Sequence, residues 1–198
     1  MSKNLITKIS LTLYFNKNRL FCMRKVILYV AVSLDGYIAD AQKSVHWIKG
    51  QDDSAEMLDT YTPFFASVDT VIMGKRTYDQ IVTELSPERW PYTEAETYVF
   101  THELMVATEN IKFVSGNLCQ LVNDLRQGAG KNIWICGGAN VVNQLIRANL
   151  IDIFHIATIP TILGSGIKLF GEIESIQNLR LIDTTIYNGI IEAVYERR

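Results

Sequence analysis

Two glycine-containing junctions are the residues of this sequence best suited to bind a phosphorylated ligand. Gly74-Lys75-Arg76-Thr77 follows an apolar run at residues 70–73, and Gly137-Gly138 follows another at residues 132–136. Where a strand enters a helix through glycine, unpaired backbone N–H groups and the positive end of the helix dipole point at one spot. The first junction adds two cations and a hydroxyl, and the second lets a ligand approach the backbone. Either one alone also fits a plain turn, but together they predict two sides of one dinucleotide site.

Several other phosphate-binding and catalytic signatures are absent from the sequence. Neither junction reads G-x-G-x-x-G, and the first predicted strand ends in Ser33-Leu34-Asp35-Gly36. No G-x-x-x-x-G-K-[ST] loop and no G-x-S-x-G elbow is present. The H-x-E and P-C-x-x-C pair of zinc deaminases is missing as well. The missing motifs argue against an ordinary Rossmann enzyme, a P-loop NTPase, an α/β-hydrolase and a zinc deaminase, and so narrow the classes of enzyme to consider.

Composition sets the class of protein and narrows its partners. The 198 residues carry 19 Lys+Arg against 21 Asp+Glu and are 48% hydrophobic, which is typical of one globular domain with a sizeable core. No basic cluster suits nucleic acid or a membrane surface, and no apolar run approaches the length of a membrane span. The three cysteines are far apart, without metal-ligand spacing. We therefore expect a cytoplasmic protein with no metal and a small-molecule partner.

Strands and helices alternate along the chain from Met23 onward. Short β-rich apolar runs predict buried strands at residues 26–32, 70–73, 97–101, 111–114, 132–136 and 151–159. Two more runs flank Asn188-Gly189, which is a strong signal for a β-hairpin. The pattern predicts an α/β fold, a three-layer α/β/α sandwich whose mostly parallel sheet ends in an antiparallel hairpin.

Capping boxes predict where three of the helices begin. In each of them a short polar residue precedes Gln or Glu by three positions: Asp53-x-x-Glu56, Thr77-x-x-Gln80 and Asn117-x-x-Gln120. Pro63 is expected to kink or end the first helix near Tyr61.

The first 22 residues differ from the rest of the chain. Lys and Arg are spread through them, and the run VILYVAV that looks like the start of an α/β domain comes only after Met23. We expect residues 1–22 to be an extension outside the core. The alternatives are an edge strand or helix packed on the domain, and a weak signal peptide or anchor. Residues 23–198 then form a single domain.

Five segments resemble the dihydrofolate-reductase-like fold, in its order and at about its spacings. Within that fold the resemblance is to the branch typified by the C-terminal reductase domain of bacterial riboflavin biosynthesis, and it covers nearly everything from Met23 to Arg198. The segments are VAVSLDGYIA at 30–39, DTVIMGKRTY at 69–78, YVFTH at 98–102, ICGGANVV at 135–142 and PTILGSGIKLF at 160–170.

The resemblance implies NADPH as the cofactor and assigns its binding residues. Ala31 and Ile38 resemble the residues whose backbone holds the nicotinamide carboxamide. Lys75 or Arg76 is placed for the pyrophosphate or for the extra 2′-phosphate of NADPH. The other positions that match cofactor-binding residues are Gly74 and Thr77 at the phosphate turn, Thr101 and His102 beside the adenosine ribose, and Gly137, Gly138, Ala139, Asn140 and Val141 at the pyrophosphate helix.

The substrate side is less well marked. Folate reductases hold the substrate ring with a carboxylate on the first helix, and Glu56 and Asp59 lie nearest that place, outside any copy of the family motif; Asp59 is the preferred catalytic candidate. Asp35 is a candidate substrate contact or a turn residue, and Trp47 either walls the substrate pocket or caps the core. His155, in mid-strand, is expected to be a packed residue without a partner acid nearby in sequence.

The resemblance implies a reductase. The expected reaction is hydride transfer from NADPH to a small heterocycle, pyrimidine-like or pterin-like, or to a carbonyl compound. A non-catalytic NADP(H)-binding protein of the same fold is the alternative. A homodimer through the C-terminal strands is also implied.

Overall fold

The computed structural model describes residues 23–55, 57–173 and 176–198. These residues form ten strands: β1 Val26–Ser33, β2 Tyr37–Ala39, β3 Val68–Gly74, β4 Glu96–Phe100, β5 Ile111–Val114, β6 Asn132–Gly137, β7 Ile153–Ile159, β8 Ile167–Lys168, β9 Leu179–Tyr187 and β10 Ile190–Arg197. The helices are α1 Tyr61–Ala66, α2 Lys75–Gln80, α3 Leu118–Gln127 and α4 Ala139–Arg147, and α2 continues into a π-helical turn, Ile81–Leu85. The extension at residues 1–22 lies outside the described residues, so its place relative to the core stays a prediction.

Eight of the strands form one sheet in the order β5-β4-β3-β6-β1-β7-β10-β9. Every neighbouring pair is parallel except β7-β10 and β10-β9. Asn188 and Gly189 connect β9 to β10 with φ angles of 44° and 75°, the left-handed conformations that a tight two-residue hairpin requires. The mostly parallel sheet and the C-terminal hairpin are both confirmed.

Helices cover the central strands on both faces, as the near-continuous apolar strands predict. Alternate residues of β1 point to opposite sides, so Leu28 packs with the buried residues of α3 and α4, whereas Ile27 packs with α1 and the π-helical turn. This confirms the three layers. No helix among the described residues combines the length and the apolar character that crossing a bilayer requires.

The start of α1 differs from the prediction. The helix begins at Tyr61, eight residues after Asp53, and Pro63 sits inside its first turn instead of ending it. Proline is tolerated there because a first-turn N–H has no partner within the helix. Upstream, the Asp52 carboxylate accepts hydrogen bonds from the Ser54 backbone N–H and hydroxyl, which stabilises a turn where the helix was expected.

The other two capping boxes have different outcomes. Asn117 caps α3 as predicted, with its side chain accepting the N–H of Gln120. The Thr77 box is wrong, because α2 already begins at Lys75 with Gly74 as its N-cap. The strand therefore enters the helix directly through the glycine.

Candidate active site

The sheet opens at the carboxyl ends of its central strands. β6 pairs with β1 only from Val26 to Leu28, whereas β1 continues beside β7 as far as Ser33. The chain runs through β3, β4 and β5 to one edge and then returns to β6, next to β1. Ligands of open α/β sheets bind at such a reversal of strand order, outside the carboxyl ends of the strands.

The two glycine junctions meet at this opening. A Cβ atom at Gly138 would lie 3.3 Å from Thr77 Oγ1, and one at Gly74 would lie 3.5 Å from the Val141 side chain. Gly137 has a φ of 135°, which disfavours any larger residue, and a Cβ there would lie 3.8 Å from the same Thr77 hydroxyl oxygen. The structure thus brings together the predicted residues 74–77 and 137–141.

The first turn of α4 is held in place by a buried side chain. The Asn143 amide nitrogen donates to the backbone oxygens of Ala139 and Leu169 at 2.7 and 2.9 Å. Its amide oxygen accepts the N–H of Gly171 at 2.8 Å. Asn140 accepts a hydrogen bond from the side chain of Gln144. The N–H groups at the start of α4, which have no partner within the helix, are therefore presented by a fixed backbone.

The two cations of the first junction differ in their surroundings. Lys75 Nζ lies 2.7 and 2.8 Å from the carboxylate oxygens of Asp79 and 3.3 Å from Glu103, and the hydrogen bond to Asp79 raises the pKa of Lys75. Arg76 is exposed and makes no ion pair with the residues that the structure describes. Of the two, Arg76 is the cation available to a ligand phosphate.

Thr101 and His102 follow β4, the strand beside β3. Thr101 is buried, and its hydroxyl oxygen accepts the N–H of Glu103. His102 is exposed next to it. Both lie at the carboxyl edge of the sheet, where the resemblance placed them.

A cavity of about 250 Å³ lies on the face of the sheet that α1 covers, against residues of β1, β7 and β10. It contains Ala31, one of the two residues assigned to the nicotinamide; Ile38 packs against the main core and does not line it. The lining is largely apolar and aromatic. It consists of Tyr29, Val30, Ala31, Ile48, Lys49, Met57, Tyr61, Trp134, Ala157, Ile159, Tyr187, Ile190 and Glu192.

A buried carboxylate forms part of the cavity wall. Glu192 is 2% exposed, and its Oε1 accepts hydrogen bonds from the hydroxyls of Tyr187 at 2.6 Å, Thr60 at 2.7 Å and Tyr29 at 3.3 Å. Its Oε2 lies 2.8 Å from His155 Nε2. Burial raises the pKa of this carboxyl, but the hydrogen bonds from His155, Tyr187 and Thr60 outweigh burial and lower the pKa to about 2. The carboxylate is therefore ionised at neutral pH.

The tyrosines around this carboxylate stay protonated at neutral pH. Burial and the hydrogen bond to Glu192 raise the pKa of Tyr187 to about 12, and burial also raises that of Tyr29. Because an ionised carboxylate only accepts, His155 Nε2 carries the shared hydrogen. The His155 ring stacks on Tyr29 with a centroid distance of 4.2 Å.

Two of the acidic residues proposed for the substrate side, Asp59 and Asp35, do not line this cavity. Asp59 is exposed, and its carboxylate accepts the Thr62 N–H at the start of α1. Asp35 accepts hydrogen bonds from the Ser33 hydroxyl and from the backbone of Leu163 and Gly164; the Ser33 bond is the main reason its pKa is lowered to about 2. Both carboxylates stabilise local structure.

The other two substrate candidates have different outcomes. Trp47 packs on the cluster of Ala157, Ile159 and Ile190, three residues that line the cavity, so it supports the wall from behind. Glu56 lies outside the described residues. No group of three or more His, Cys, Asp or Glu side chains in the described part of the chain is arranged to hold a metal ion.

Sequence reasoning missed Glu192, and it left His155 without the acid partner that the structure supplies. One signal was available in the hairpin strand. Ile190 and Glu192 are two residues apart, so they share a face of β10, and Ile190 is buried. An acid on the buried face of a strand needs hydrogen-bond or ion-pair partners, and the sequence does not show which residues supply them.

The chain matches known proteins over most of its length. The model of the RibD C-terminal domain matches residues 24–191. This chain belongs to the RibD C-terminal domain family. The Bacillus subtilis protein YwjB, which is described as uncharacterized, is 38% identical over 178 residues that cover 88% of this chain and 98% of YwjB.

Solved structures support the same family and fold. A Shewanella sp. PV-4 protein whose name relates it to riboflavin biosynthesis is 26% identical, with a TM-score of 0.76, over 88% of this chain and 99% of that one. Dihydrofolate reductase from Enterococcus faecalis, solved with NADP(H), has a TM-score of 0.57 at 16% identity over 87% of this chain and 96% of its own. The family member described here therefore has the dihydrofolate-reductase-like fold, a reductase-like architecture.

Proposed function

We propose that this protein is an NADPH-dependent reductase that transfers a hydride to a small heterocyclic or carbonyl substrate. One observation carries the proposal. The residues 74–77 and 137–141, which resemble the cofactor-binding segments of reductases, converge at the sheet opening, and Ala31, which resembles a nicotinamide-binding residue, lines an aromatic cavity on the same sheet.

The residues at the opening fit a dinucleotide with an extra phosphate. Gly74 and Gly138 leave the backbone open, because no Cβ fills the space between the two junctions. The start of α4 supplies N–H donors for the pyrophosphate. Arg76 has no ion-pair partner among the described residues, so its guanidinium would bind the 2′-phosphate.

NADPH supplies the hydride when it is bound, so the protein needs to position the substrate and exclude water. The rings of Tyr29, Tyr61 and Trp134 form apolar walls that suit a flat substrate. Glu192 fixes the orientation of the two tyrosine hydroxyls beside it. These residues bind and orient, and none of them must form a covalent intermediate.

Calorimetric titration with NADPH and, separately, with NADH tests the cofactor assignment. We expect micromolar or tighter binding of NADPH and much weaker binding of NADH. Loss of NADPH absorbance with pterin, pyrimidine and carbonyl compounds then tests turnover. Failure to bind either nucleotide would refute the proposal, and tight NADPH binding without turnover on any of these compounds would favour the non-catalytic alternative.

We also propose a homodimer through the C-terminal hairpin. Ile186 of β9 and Ile191 of β10 are opposite each other and are 71% and 46% exposed. Paired exposed isoleucines on an outer hairpin favour association with a second apolar surface.

A further inference from the structure

We propose that Glu192 is the specificity-determining residue of the cavity, and that its hydrogen-bond network selects a flat ring with N–H donors over a similar ring that offers only acceptors. This inference deepens the proposed function and rests on it, because it treats the cavity as the substrate site. Glu192 lies on the C-terminal hairpin, whereas the sequence analysis proposed acids near the first helix, Glu56 and Asp59, as substrate contacts.

Three hydroxyl groups surround Glu192 Oε1 and donate their hydrogens within the network. The Thr60 hydroxyl donates to Glu192 Oε1 at 2.7 Å, and the Tyr187 hydroxyl donates to the same oxygen at 2.6 Å. The Tyr29 hydroxyl lies 3.1 Å from Thr60 Oγ1 and 3.3 Å from Glu192 Oε1, so its hydrogen also points into the network. Each hydroxyl has one hydrogen, and none of the three is left for a ligand.

The groups that remain free on this wall are therefore acceptors. Glu192, Tyr29 and Tyr187 line the cavity, and their unused capacity consists of oxygen lone pairs. Among the described residues, Glu192 Oε2 receives one hydrogen bond, from His155, and it has the capacity to accept a second. A ligand acceptor placed against this wall forms no hydrogen bond, because its lone pairs face other lone pairs and are repelled by them. A ligand N–H group in the same place gains a hydrogen bond to a charged group.

The indole N–H of Trp134 is a buried donor of the lining, and it already donates to the backbone oxygen of Tyr29. The unused side-chain donors are on exposed residues. Lys49 is exposed, and Tyr61 is 39% exposed. Neither side chain makes a hydrogen bond or an ion pair with the described residues. The buried wall therefore accepts and the exposed side donates, which orients a ring with its donor edge inward.

Carboxylates are rarely buried in proteins unless they are paired, and this one also lines a cavity. Taking a carboxylate out of water carries a large desolvation penalty, and apolar side chains of similar volume often stabilise a core as well as a buried ion pair does. A buried charge that also lines a cavity is a mark of a functional site. The volume of the cavity, about 250 Å³, suits a ligand of one or two rings.

Two probes that share one ring test the inference. 2,4-Diaminopyrimidine offers N–H donors, whereas 2,4-dimethoxypyrimidine offers only acceptors. Binding to the full chain, with and without NADPH, is followed by calorimetry. Because a hydrogen bond to a charged group is involved, we expect the diamino ring to bind about 10- to 100-fold more tightly. Equal affinities, or no binding of either ring, would overturn the inference.

Variants then assign the preference to Glu192. In Glu192→Gln we expect the preference to fall to within about threefold, because the charge is lost. Glu196→Gln is the matched control: it makes the same change on the same strand, at a residue paired with Arg180 outside the cavity, and should keep the full preference. An undiminished preference in folded Glu192→Gln would contradict the inference.

Tyr187→Phe provides a milder second variant in case Glu192→Gln does not fold. It removes the phenol oxygen and frees the acceptor site on Glu192 Oε1 to which that hydroxyl donates, so the wall still only accepts. We therefore expect the preference for the diamino ring to be kept, and its loss or reversal would count against the inference. NADPH affinity separates the two proposals. Unchanged NADPH binding in the Glu192 variant shows that only the ring site was altered, whereas a wild-type chain that selects the ring but binds no NADPH would refute the reductase proposal alone.

Discussion

Replacement of Gly138 by valine should remove cofactor binding while leaving the fold intact. The backbone at Gly138 has φ −82° and ψ −167°, an extended conformation that any residue adopts. The new Cβ would lie 3.3 Å from Thr77 Oγ1, which requires that hydroxyl to shift by a few tenths of an ångström. From the usual cost of overpacking we expect the free energy of unfolding to fall by about 1–3 kcal/mol.

The loss of binding should be much larger. A pyrophosphate must approach the N–H groups at the start of α4 to about 2.7–3.2 Å, and a branched side chain at Gly138 occupies that approach. Losing two hydrogen bonds to a charged group costs about 3–6 kcal/mol, which corresponds to roughly 10²- to 10⁴-fold weaker NADPH binding. Calorimetric titration measures the affinity, and thermal unfolding reports whether the variant is folded.

Gly128→Val is the matched control. Gly128 follows α3 with φ −74° and ψ 165°, also extended, and a Cβ there would lie 3.4 Å from the Leu125 backbone oxygen. It lies outside the sheet opening, so NADPH affinity should be unchanged. A folded Gly138→Val protein that binds NADPH within threefold of the wild-type affinity would refute the assignment of residues 137–141 to the pyrophosphate.

Three further predictions concern charge and association. Arg76→Ala should weaken NADPH binding by about 5- to 30-fold and leave NADH binding nearly unchanged. Lys75→Ala should weaken NADPH binding less than threefold, because the Lys75 ammonium already pairs with two carboxylates. If Arg76→Ala weakened the binding of both nucleotides equally, this prediction would be contradicted. The pKa of Glu192 is lowered from 4.5 to about 2, so the stability that its ionised form contributes is complete above about pH 4.5 and is lost as pH falls toward 2. In urea unfolding, the excess free energy of unfolding of the wild type over Glu192→Gln should therefore shrink across that range. A difference that stays constant would contradict this. Ile186→Asp should yield a monomer in sedimentation equilibrium, and a wild-type chain that is already monomeric would rule out the proposed dimer.

Local sequence signals predicted most of the fold. Continuous apolar runs identify the central strands because both faces of a parallel sheet are buried. Asn188-Gly189 specifies its hairpin because both residues adopt positive φ readily. The two glycine junctions could also be identified from the sequence, because the strand, the glycine and the helix N-terminus of each junction are contiguous in the chain.

The start of α1 shows where local signals compete. Asp53 and Glu56 have the spacing of a capping box, but the Asp52 side chain stabilises a turn with Ser54 instead. The helix begins only at Tyr61. A short helix gains little from its own hydrogen bonds, so packing decides where it begins. Here Phe64 in α1 is buried against the sheet.

The sequence by itself determined the architecture, the family resemblance and the segments that meet at the sheet opening, because each of those depends on neighbours within a few residues. Only the tertiary structure decided which acid belongs to the cavity. Glu192 is 37 residues from His155, 132 from Thr60 and 163 from Tyr29. The pairing of β7 with both β10 and β1 brings His155 and Tyr29 to it, and the start of α1 brings Thr60. A buried charge is stable only where distant chain segments supply its hydrogen bonds, and no local pattern of residue types specifies those partners.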